Sequence, residues 1–456
     1  MPNRKDLILK KLKKVPDIKK LSPYKMYFFI TAICVALSWF LIFHNLSVEA
    51  DKYKELLKKA DILYERKIYD ESLEAYLNCL KVNSEEKTAL DRVCTIYMKD
   101  RKYDRAINYA DELIKYYPDE PEGYIKKAKA YEGKDQYGKA VSVLKDHRKM
   151  KKVKEYYDKI LGLFDLDYIN VSEPGIWVEC DGGRQFSQAK KGKNPCLCGS
   201  NGKTIVTGPY KYIGYPSDGE TVIPVKEGDE CFYVDRKGKR RIVPEESFEW
   251  TGTFSEGLAS ARQGDVFGYI DRNMKKKNFE YSEAYPFFEG KAVVKKDDRY
   301  FEINKEFEKT AEYGFEKVKA SRSGRVCNYG VIIGAVGDKE YLYSSNGKRI
   351  SEGMDEILLP KDKEGPMAFR EGKKWGFINK DGSVFMGPAF DGAGSFSEGM
   401  APVKQEGKWG YISNEGKLII PCQFDYAGPL SNEGTSWVRN HTGWSLLRLK
   451  CYEKED

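Results

Sequence analysis

One hexapeptide occurs twice near the C-terminal end of the chain, at a distance of 34 residues. Residues 374–379 read KWGFIN, and residues 408–413 read KWGYIS. A sequence that returns at a fixed step of ~20–50 residues indicates an array of one small structural unit, because each unit needs its neighbours to bury its apolar face. The C-terminal part of the chain is therefore predicted to be an array, and arrays of this kind usually form contact surfaces.

Each unit of this array is predicted to contain about three short antiparallel strands, because its apolar runs are short and are bounded by glycine turns. In the last complete copy, these turns are Glu406-Gly407 and 414–416. The aromatic position of the hexapeptide recurs along the chain at Cys196, Phe232, Phe267, Tyr300, Tyr341, Trp375, Trp409 and Trp444.

The repeat signature is carried by Trp375, Gly376, Trp409, Gly410 and Trp444. Tryptophan supplies the largest apolar contact of any side chain. Glycine has no Cβ, so a neighbouring strand or ring can lie against it. We expect these residues to pack the units together.

The segments FSEGLA (254–259), FSEGMA (396–401) and IIP (419–421), together with the two KWG segments, resemble the bacterial WG β-repeat family. This resemblance implies an all-β repeat domain over 172–451 that binds partners through its repeats. A propeller-like ring removes exposed strand edges and is preferred, with an open β-solenoid as the alternative.

A second array, also with a step of 34 residues, precedes the first. Three sets of positions follow that step: Tyr69, Tyr103 and Tyr137; Ser72, Ala106 and Ala140; Ala60, Cys94 and Ala128. Small residues at fixed places let paired helices approach closely, and this pattern resembles the tetratricopeptide repeat. The resemblance implies three helix pairs, 53–86, 87–120 and 121–154. A closing helix then completes a helical domain over 53–165.

Tetratricopeptide-like repeats imply a groove that binds a partner protein or peptide. The residues predicted to face this groove are Tyr64, Asp91, Thr95, Lys99, Lys129 and Glu132. Their charges are mixed, and packing between the membrane and the distal domain is an equally open interpretation of the helical array.

A membrane anchor is predicted near the N-terminus. Residues 26–43 carry no charge, and ~20 helical residues span the hydrocarbon core of a bilayer, so 26–46 is predicted to be a single transmembrane helix. The preceding segment, 1–25, holds nine of the lysines and arginines. This imbalance predicts a basic cytoplasmic tail and extracytoplasmic C-terminal domains at the cell membrane. A cleaved signal peptide and a buried core helix are the alternatives.

Charge and chemistry exclude several other classes of protein. The net charge of +8 comes almost wholly from the N-terminal tail, which favours a membrane partner over nucleic acid. Cys196 and Cys198 have the spacing of half a zinc site, but residues 204–212 supply no Cys or His to complete it. A disulfide of these cysteines with Cys180 or Cys231 is a further open alternative. We expect no catalytic residue, metal or cofactor.

The sequence as a whole predicts a multidomain α + β protein: a transmembrane helix, an α-solenoid of three tetratricopeptide-like pairs and an all-β repeat domain. Its predicted function is that of a membrane-anchored, non-catalytic scaffold for protein–protein interaction at the bacterial cell envelope. Two alternatives come from other classes. Repeated aromatic rings could bind a wall glycan, and a hydrolase could be hidden among the carboxylates of the β-domain.

Overall fold

The computed structural model describes residues 23–180, 184–216 and 222–452. The predicted basic tail lies outside these residues up to position 22. The chain forms two compact units, which divide between Asp135 and Gln136.

The first unit consists of α-helices. Their bounds are Pro23–Glu65 (α1), Tyr69–Val82 (α2), Lys87–Lys99 (α3), Tyr103–Tyr116 (α4) and Pro121–Gly133 (α5). Helices α2 and α4 begin at tyrosines of the predicted 34-residue step, and α3 and α5 begin at the predicted repeat boundaries. The small residues of the step are fully buried, and Ser72 Oγ donates to Ala60 O at 3.1 Å across the first pair.

The turn inside each helix pair also follows the 34-residue step. Lys67, Arg101 and Asp135 have positive φ angles of 63°, 58° and 57°. A left-handed residue just beyond a helix lets the next amides bond back to the last carbonyls, as Ile68 N does to Leu63 O at 3.0 Å. The repeated turn gives each pair the same geometry and supports the tetratricopeptide-like interpretation.

Helix α1 differs from the prediction. Among the described residues, no helix is both long enough and apolar enough to cross a membrane, so the predicted transmembrane helix at 26–46 is not supported. Those residues belong to α1, which continues to Glu65 and also supplies the first helix of the repeats. Residues 24–65 contain neither proline nor glycine, so nothing in the sequence ends a helix between the apolar run and the first repeat.

The second unit begins with two helices, Tyr137–Lys145 (α6) and Lys151–Leu161 (α7). Tyr137 again opens a helix at the 34-residue step. Helix α7 begins and ends three residues before the predicted closing helix at 154–164. Lys417 Nζ contacts Asp158 Oδ2 at 2.7 Å and joins α7 to the β-structure of the same unit.

The rest of the second unit is a ring of eight sheets, or blades. In the first four blades, the strands are β2 (Val178–Cys180), β3 (Arg184–Lys191), β4 (Asn194–Gly199), β5 (Thr204–Thr207); β6 (Tyr212–Ile213), β7 (Ile223–Glu227), β8 (Glu230–Val234), β9 (Arg240–Ile242); β10 (Trp250–Thr251), β11 (Leu258–Gln263), β12 (Val266–Asp271), β13 (Lys276–Tyr281); β14 (Glu283–Ala284), β15 (Lys291–Lys296), β16 (Arg299–Asn304) and β17 (Lys309–Tyr313).

Blades 5 to 7 continue in the same order. Their strands are β18 (Lys317–Lys319), β19 (Val331–Val336), β20 (Lys339–Ser344); β21 (Glu356–Ile357), β22 (Met367–Glu371), β23 (Lys374–Ile378), β24 (Val384–Phe390); β25 (Gly392–Ala393), β26 (Met400–Gln405), β27 (Lys408–Ser413) and β28 (Leu418–Phe424). The prediction of about three strands a unit missed the short inner strand, which spans only two or three residues in each blade.

Blade 8 closes the ring with strands from both ends of the unit. Its C-terminal strands are β29 (Tyr426–Ala427), β30 (Thr435–Asn440) and β31 (Gly443–Leu449), and its outer strand is β1 (Phe164–Tyr168). Strand β1 pairs antiparallel with β31 in the register Phe164 to Leu449. The domain is therefore a closed eight-bladed β-propeller, not the open solenoid.

The core of the propeller lies between the blades. Each of the eight junctions between neighbouring blades holds its own cluster of buried apolar side chains. At the closing junction of blades 8 and 1, Trp177 and Trp437 are stacked with ring centroids 5.4 Å apart. One blade has no second layer of its own, so stability depends on the complete ring.

Candidate functional site

The Trp-Gly pairs of the signature lie in the third strand of their blades, where glycine makes room for the outer strand. A Cβ on Gly376 would lie 2.5 Å from Met386 O, and a Cβ on Gly410 would lie 2.7 Å from Cys422 N. At both positions, the pairing with the outer strand shifts register. Backbone atoms cannot move aside as a side chain can, so glycine is needed for this close approach.

The signature tryptophans pack blade against blade. Trp375, Trp409 and Trp444 are half-buried. Trp409 and Tyr426 have ring centroids 6.0 Å apart, and Tyr426 meets Trp444 edge-on at 5.3 Å. The glycan-binding alternative depended on exposed rings, and this packing does not support it.

The lysine that precedes each signature tryptophan forms an ion pair with the next blade. Lys374 Nζ lies 2.7 Å from Asp391 Oδ1, and Lys408 Nζ lies 2.5 Å from Asp425 Oδ1. The hydrogen bond from each lysine lowers the pKa of its aspartate below the usual range. These repeated pairs fix neighbouring blades in register.

The FSEG segments form tight turns that also link one blade to the next. Glu256 and Glu398 have positive φ angles of 52° and 53°, and a glycine with positive φ follows each, as in a two-residue type I′ hairpin turn. Ser397 Oγ in blade 7 donates to Leu430 O in blade 8 at 2.8 Å. In the same way, Glu256 accepts a hydrogen bond from Gly290 N at 3.1 Å. The carboxylates of these turns thus have a structural role.

The predicted groove residues lie on the first helix of each pair. Arg92 lies over the ring of Tyr64 at 4.2 Å, and Lys99 Nζ lies 4.0 Å from the ring centroid of Tyr69 and donates to its hydroxyl. Lys126, which the sequence analysis did not select, lies 3.0 Å from Asp91 Oδ1 and donates to Thr95 Oγ1 at 2.5 Å.

We call the surface made by Tyr64, Asp91, Thr95, Lys99 and Lys126 the first-helix face. It runs across α1, α3 and α5, and Lys99 on it is exposed to solvent. The other two predicted groove residues, Lys129 and Glu132, lie further along α5, where Lys129 is exposed and Glu132 is half-buried. Lys126 could have been found from the sequence, because it follows Asp91 by 35 residues, one residue more than the repeat step.

The cysteines with partial zinc spacing lie inside the closing junction. Cys196 and Cys198 are buried in β4, with their Sγ atoms 3.9 Å apart, and they pack in one cluster with Trp177 and Trp437. Within the described part of the chain, no three or more His, Cys, Asp or Glu side chains are grouped as metal ligands would be. Cys231 is a free thiol in blade 2.

A central channel is enclosed by the inner strands of blades 1, 5, 6, 7 and 8 and by the loops that follow them. Its cavity has a volume of about 500 Å³, which is in the range of small-molecule sites. The loops 320–330 and 358–366, which join the first two strands of blades 5 and 6, supply much of its polar lining. The long first loop accounts for the stretched spacing between Tyr300 and Tyr341 in the sequence.

The described residues thus define a protein of two repeat structures, helix pairs with a 34-residue step and a closed eight-bladed propeller. The WG containing repeat family matches residues 267–300, 375–409 and 409–443. These matches fall in blades 3 and 4, 6 and 7, and 7 and 8, and they support the predicted WG β-repeats. No curated protein matches the chain.

Several solved structures resemble parts of the chain. MamA from Desulfovibrio magneticus RS-1 is 18% identical over 24% of this chain and 62% of its own, with a TM-score of 0.23. The TPR domain of Arabidopsis OM64 is 14% identical over 24% of this chain and 92% of its own, with a TM-score of 0.22. Kluyveromyces lactis Hsv2p is 9% identical over 53% of this chain and 92% of its own, with a TM-score of 0.37. The chain thus spans less than two thirds of MamA.

Proposed function

We propose that the protein is a non-catalytic scaffold that binds a partner protein or peptide on its first-helix face. The observation that carries this proposal is the continuous polar surface across α1, α3 and α5. Its cations are linked to neighbouring side chains, and Lys99 remains exposed. The propeller contributes a rigid body, because its signature residues are used in contacts between blades.

Charge reversal at Lys99 tests this proposal. In the full-length chain, Lys99→Glu is expected to reduce capture of at least one partner from an extract of the source cells about tenfold or more, because it places a carboxylate where a charged contact worth ~1.5–3 kcal/mol is lost. Capture is measured by quantitative mass spectrometry of proteins retained on the immobilised chain.

Lys115→Glu is the matched control. Lys115 is also an exposed lysine that donates to a tyrosine hydroxyl, that of Tyr116 at 3.2 Å, but it lies on α4, the second helix of its pair. The proposal expects this variant to capture the same partners as the wild type. Identical capture profiles for the wild type and both variants would contradict it.

Localisation at the cell envelope, with the N-terminus in the cytoplasm, remains a prediction from the sequence. The absence of enzymatic activity also remains a prediction. In the propeller, burial raises the pKa of Glu398, but Tyr452 donates to this carboxylate at 3.1 Å and fixes it beside a hairpin turn. We therefore prefer binding over hydrolysis as the function of this domain.

A further inference from the structure

Two cations on different blades face the central channel. Arg322 lies on the loop 320–330 of blade 5, and Lys361 lies on the loop 358–366 of blade 6. The guanidinium of Arg322 extends to Gly175, the residue before the inner strand of blade 1, where a Cβ would lie 2.8 Å from Arg322 Nη1. Arg322 thus reaches across the channel, and the missing side chain at Gly175 leaves it room.

Carboxylates that line or border the channel near these cations have other partners. Glu179 Oε2 accepts a hydrogen bond from the Tyr329 hydroxyl at 2.6 Å, Glu356 pairs with Arg370 at 3.3 Å, and Glu340 pairs with Lys319 at 2.8 Å. Among the described residues, none of these acids neutralises Arg322 or Lys361. Burial, and then the positive charge of Arg322, lower the pKa of Lys361 to about 8.

The walls around the two cations are largely apolar. They are formed by inner-strand and loop residues that include Ile176, Leu358, Leu359, Pro429 and Leu430. Two like charges close together beside apolar walls are costly unless an anion lies between them, because neither water nor a fixed carboxylate is there to screen them fully. An anion with an apolar body would satisfy both features of the channel.

We propose that the propeller channel binds a small organic anion, with its carboxylate or phosphate group between Arg322 and Lys361 and its apolar body against the channel walls. Arginine and lysine together suit both oxyanions, since guanidinium donates two parallel hydrogen bonds and ammonium supplies a point charge. This site goes beyond the binding of a partner on the first-helix face, and the failure of either proposal leaves the other standing.

Titration calorimetry of the full-length chain tests the site with three probes: benzoate, phenyl phosphate and inorganic phosphate. We expect one of the two organic anions to bind more tightly than inorganic phosphate, and the better of the two identifies the head group. Arg322→Gln and Lys361→Gln are each expected to weaken that binding about tenfold or more. Lys237→Gln, the same charge change at an exposed turn of blade 2, should leave it unchanged.

Gly175→Ala separates the position of the guanidinium from its charge. The new Cβ meets only the flexible end of Arg322 closely, so the chain keeps its charge and fold while Arg322 is displaced. This variant should also weaken binding severalfold. If the wild type binds neither organic probe at millimolar concentration, or if Lys237→Gln weakens binding as much as Lys361→Gln, the proposal is wrong.

The pH dependence gives a readout that a purely structural role would not change. Benzoate stays ionised from pH 7 to 9, and its affinity should fall as the pH rises through about 8, because Lys361 then loses the proton that the carboxylate needs. In Lys361→Gln, this dependence should disappear. The other ionisable groups on the surrounding elements are Arg322, Arg325, Lys319, Lys380, Glu179, Glu340, Glu356, Asp362, Tyr329 and Tyr426. A slope that persists in Lys361→Gln would assign the titration to one of them and contradict the proposed role of Lys361.

Discussion

Replacing Asp167 with proline is expected to lower the free energy of unfolding of the propeller by about 3 kcal/mol, because proline removes a ladder hydrogen bond in the strand that closes the ring. Lys450 N donates to Leu163 O at 2.9 Å. In an antiparallel pair, hydrogen-bonded positions alternate, so the N–H of Asp167 faces its partner Leu446 and that of Leu166 faces outward. Loss of the stacked Trp177–Trp437 signal in near-ultraviolet circular dichroism, followed in urea, reports the effect.

Two controls separate the backbone effect from the others. Asp167→Ala removes only the side-chain pair with Arg448, whose Nη2 lies 3.1 Å from Asp167 Oδ2. Leu166→Pro introduces the same ring where no ladder bond is lost. Each control should cost less than half of the loss in Asp167→Pro. If Leu166→Pro costs as much as Asp167→Pro, the pairing of β1 with β31 in this register is wrong.

Gly376→Ala is expected to destabilise blade 6 by about 2–3 kcal/mol, because the added methyl group meets backbone atoms that have no room to move. The nearest atoms to its Cβ would be Met386 O at 2.5 Å, Gly387 C at 2.8 Å and Pro388 N at 2.9 Å. The midpoint of urea unfolding and the melting temperature of the full-length chain measure this loss.

Gly387→Ala is the matched control in the same blade. No heavy atom lies within 4 Å of a Cβ at this position, and the backbone is not in the left-handed region. Alanine there should leave the stability unchanged or raise it by up to about 1 kcal/mol, since it reduces the freedom of the unfolded chain. Equal stability of the two variants would mean that Gly376 has no packing role.

The helical repeats could be predicted closely from the sequence because two kinds of residue recur at one step. Small residues mark where helices touch, and Tyr69, Tyr103 and Tyr137 mark where the second helix of each pair begins. The fate of residues 26–46 could not be predicted in the same way. An uncharged run has the composition of a membrane span, but composition does not show where a helix ends, and α1 continues through it to Glu65.

The number of blades could be predicted because the aromatic position recurs once in each third strand, from Cys196 to Trp444. The inner strands were missed because two residues, such as Glu356 and Ile357, are too few to show a periodic pattern. The closing strand β1 was missed for another reason. Its partner β31 lies some 280 residues further along the chain, at Gly443–Leu449, and no local signal reports so distant a pairing.

The channel cations were missed because they lie on loops that differ in length from blade to blade. Arg322 and Lys361 occupy no repeated position, so the repeat pattern gives them no signal. They come together only because the closed ring directs two long loops toward one axis. Gly175 likewise has no meaning in the sequence until Arg322 is found beside it.

Closure of the ring by β1 is the claim on which the propeller, its channel and its stability all depend. Hydrogen exchange of the native full-length chain, resolved to single amides, tests it most directly. We expect the amides of Asp165 and Asp167 to exchange as slowly as those of β30 and β31, since all belong to one sheet. Exchange of these two amides at the rate of the exposed turn at Gly192 would contradict closure, and the ring would then be open between blades 8 and 1.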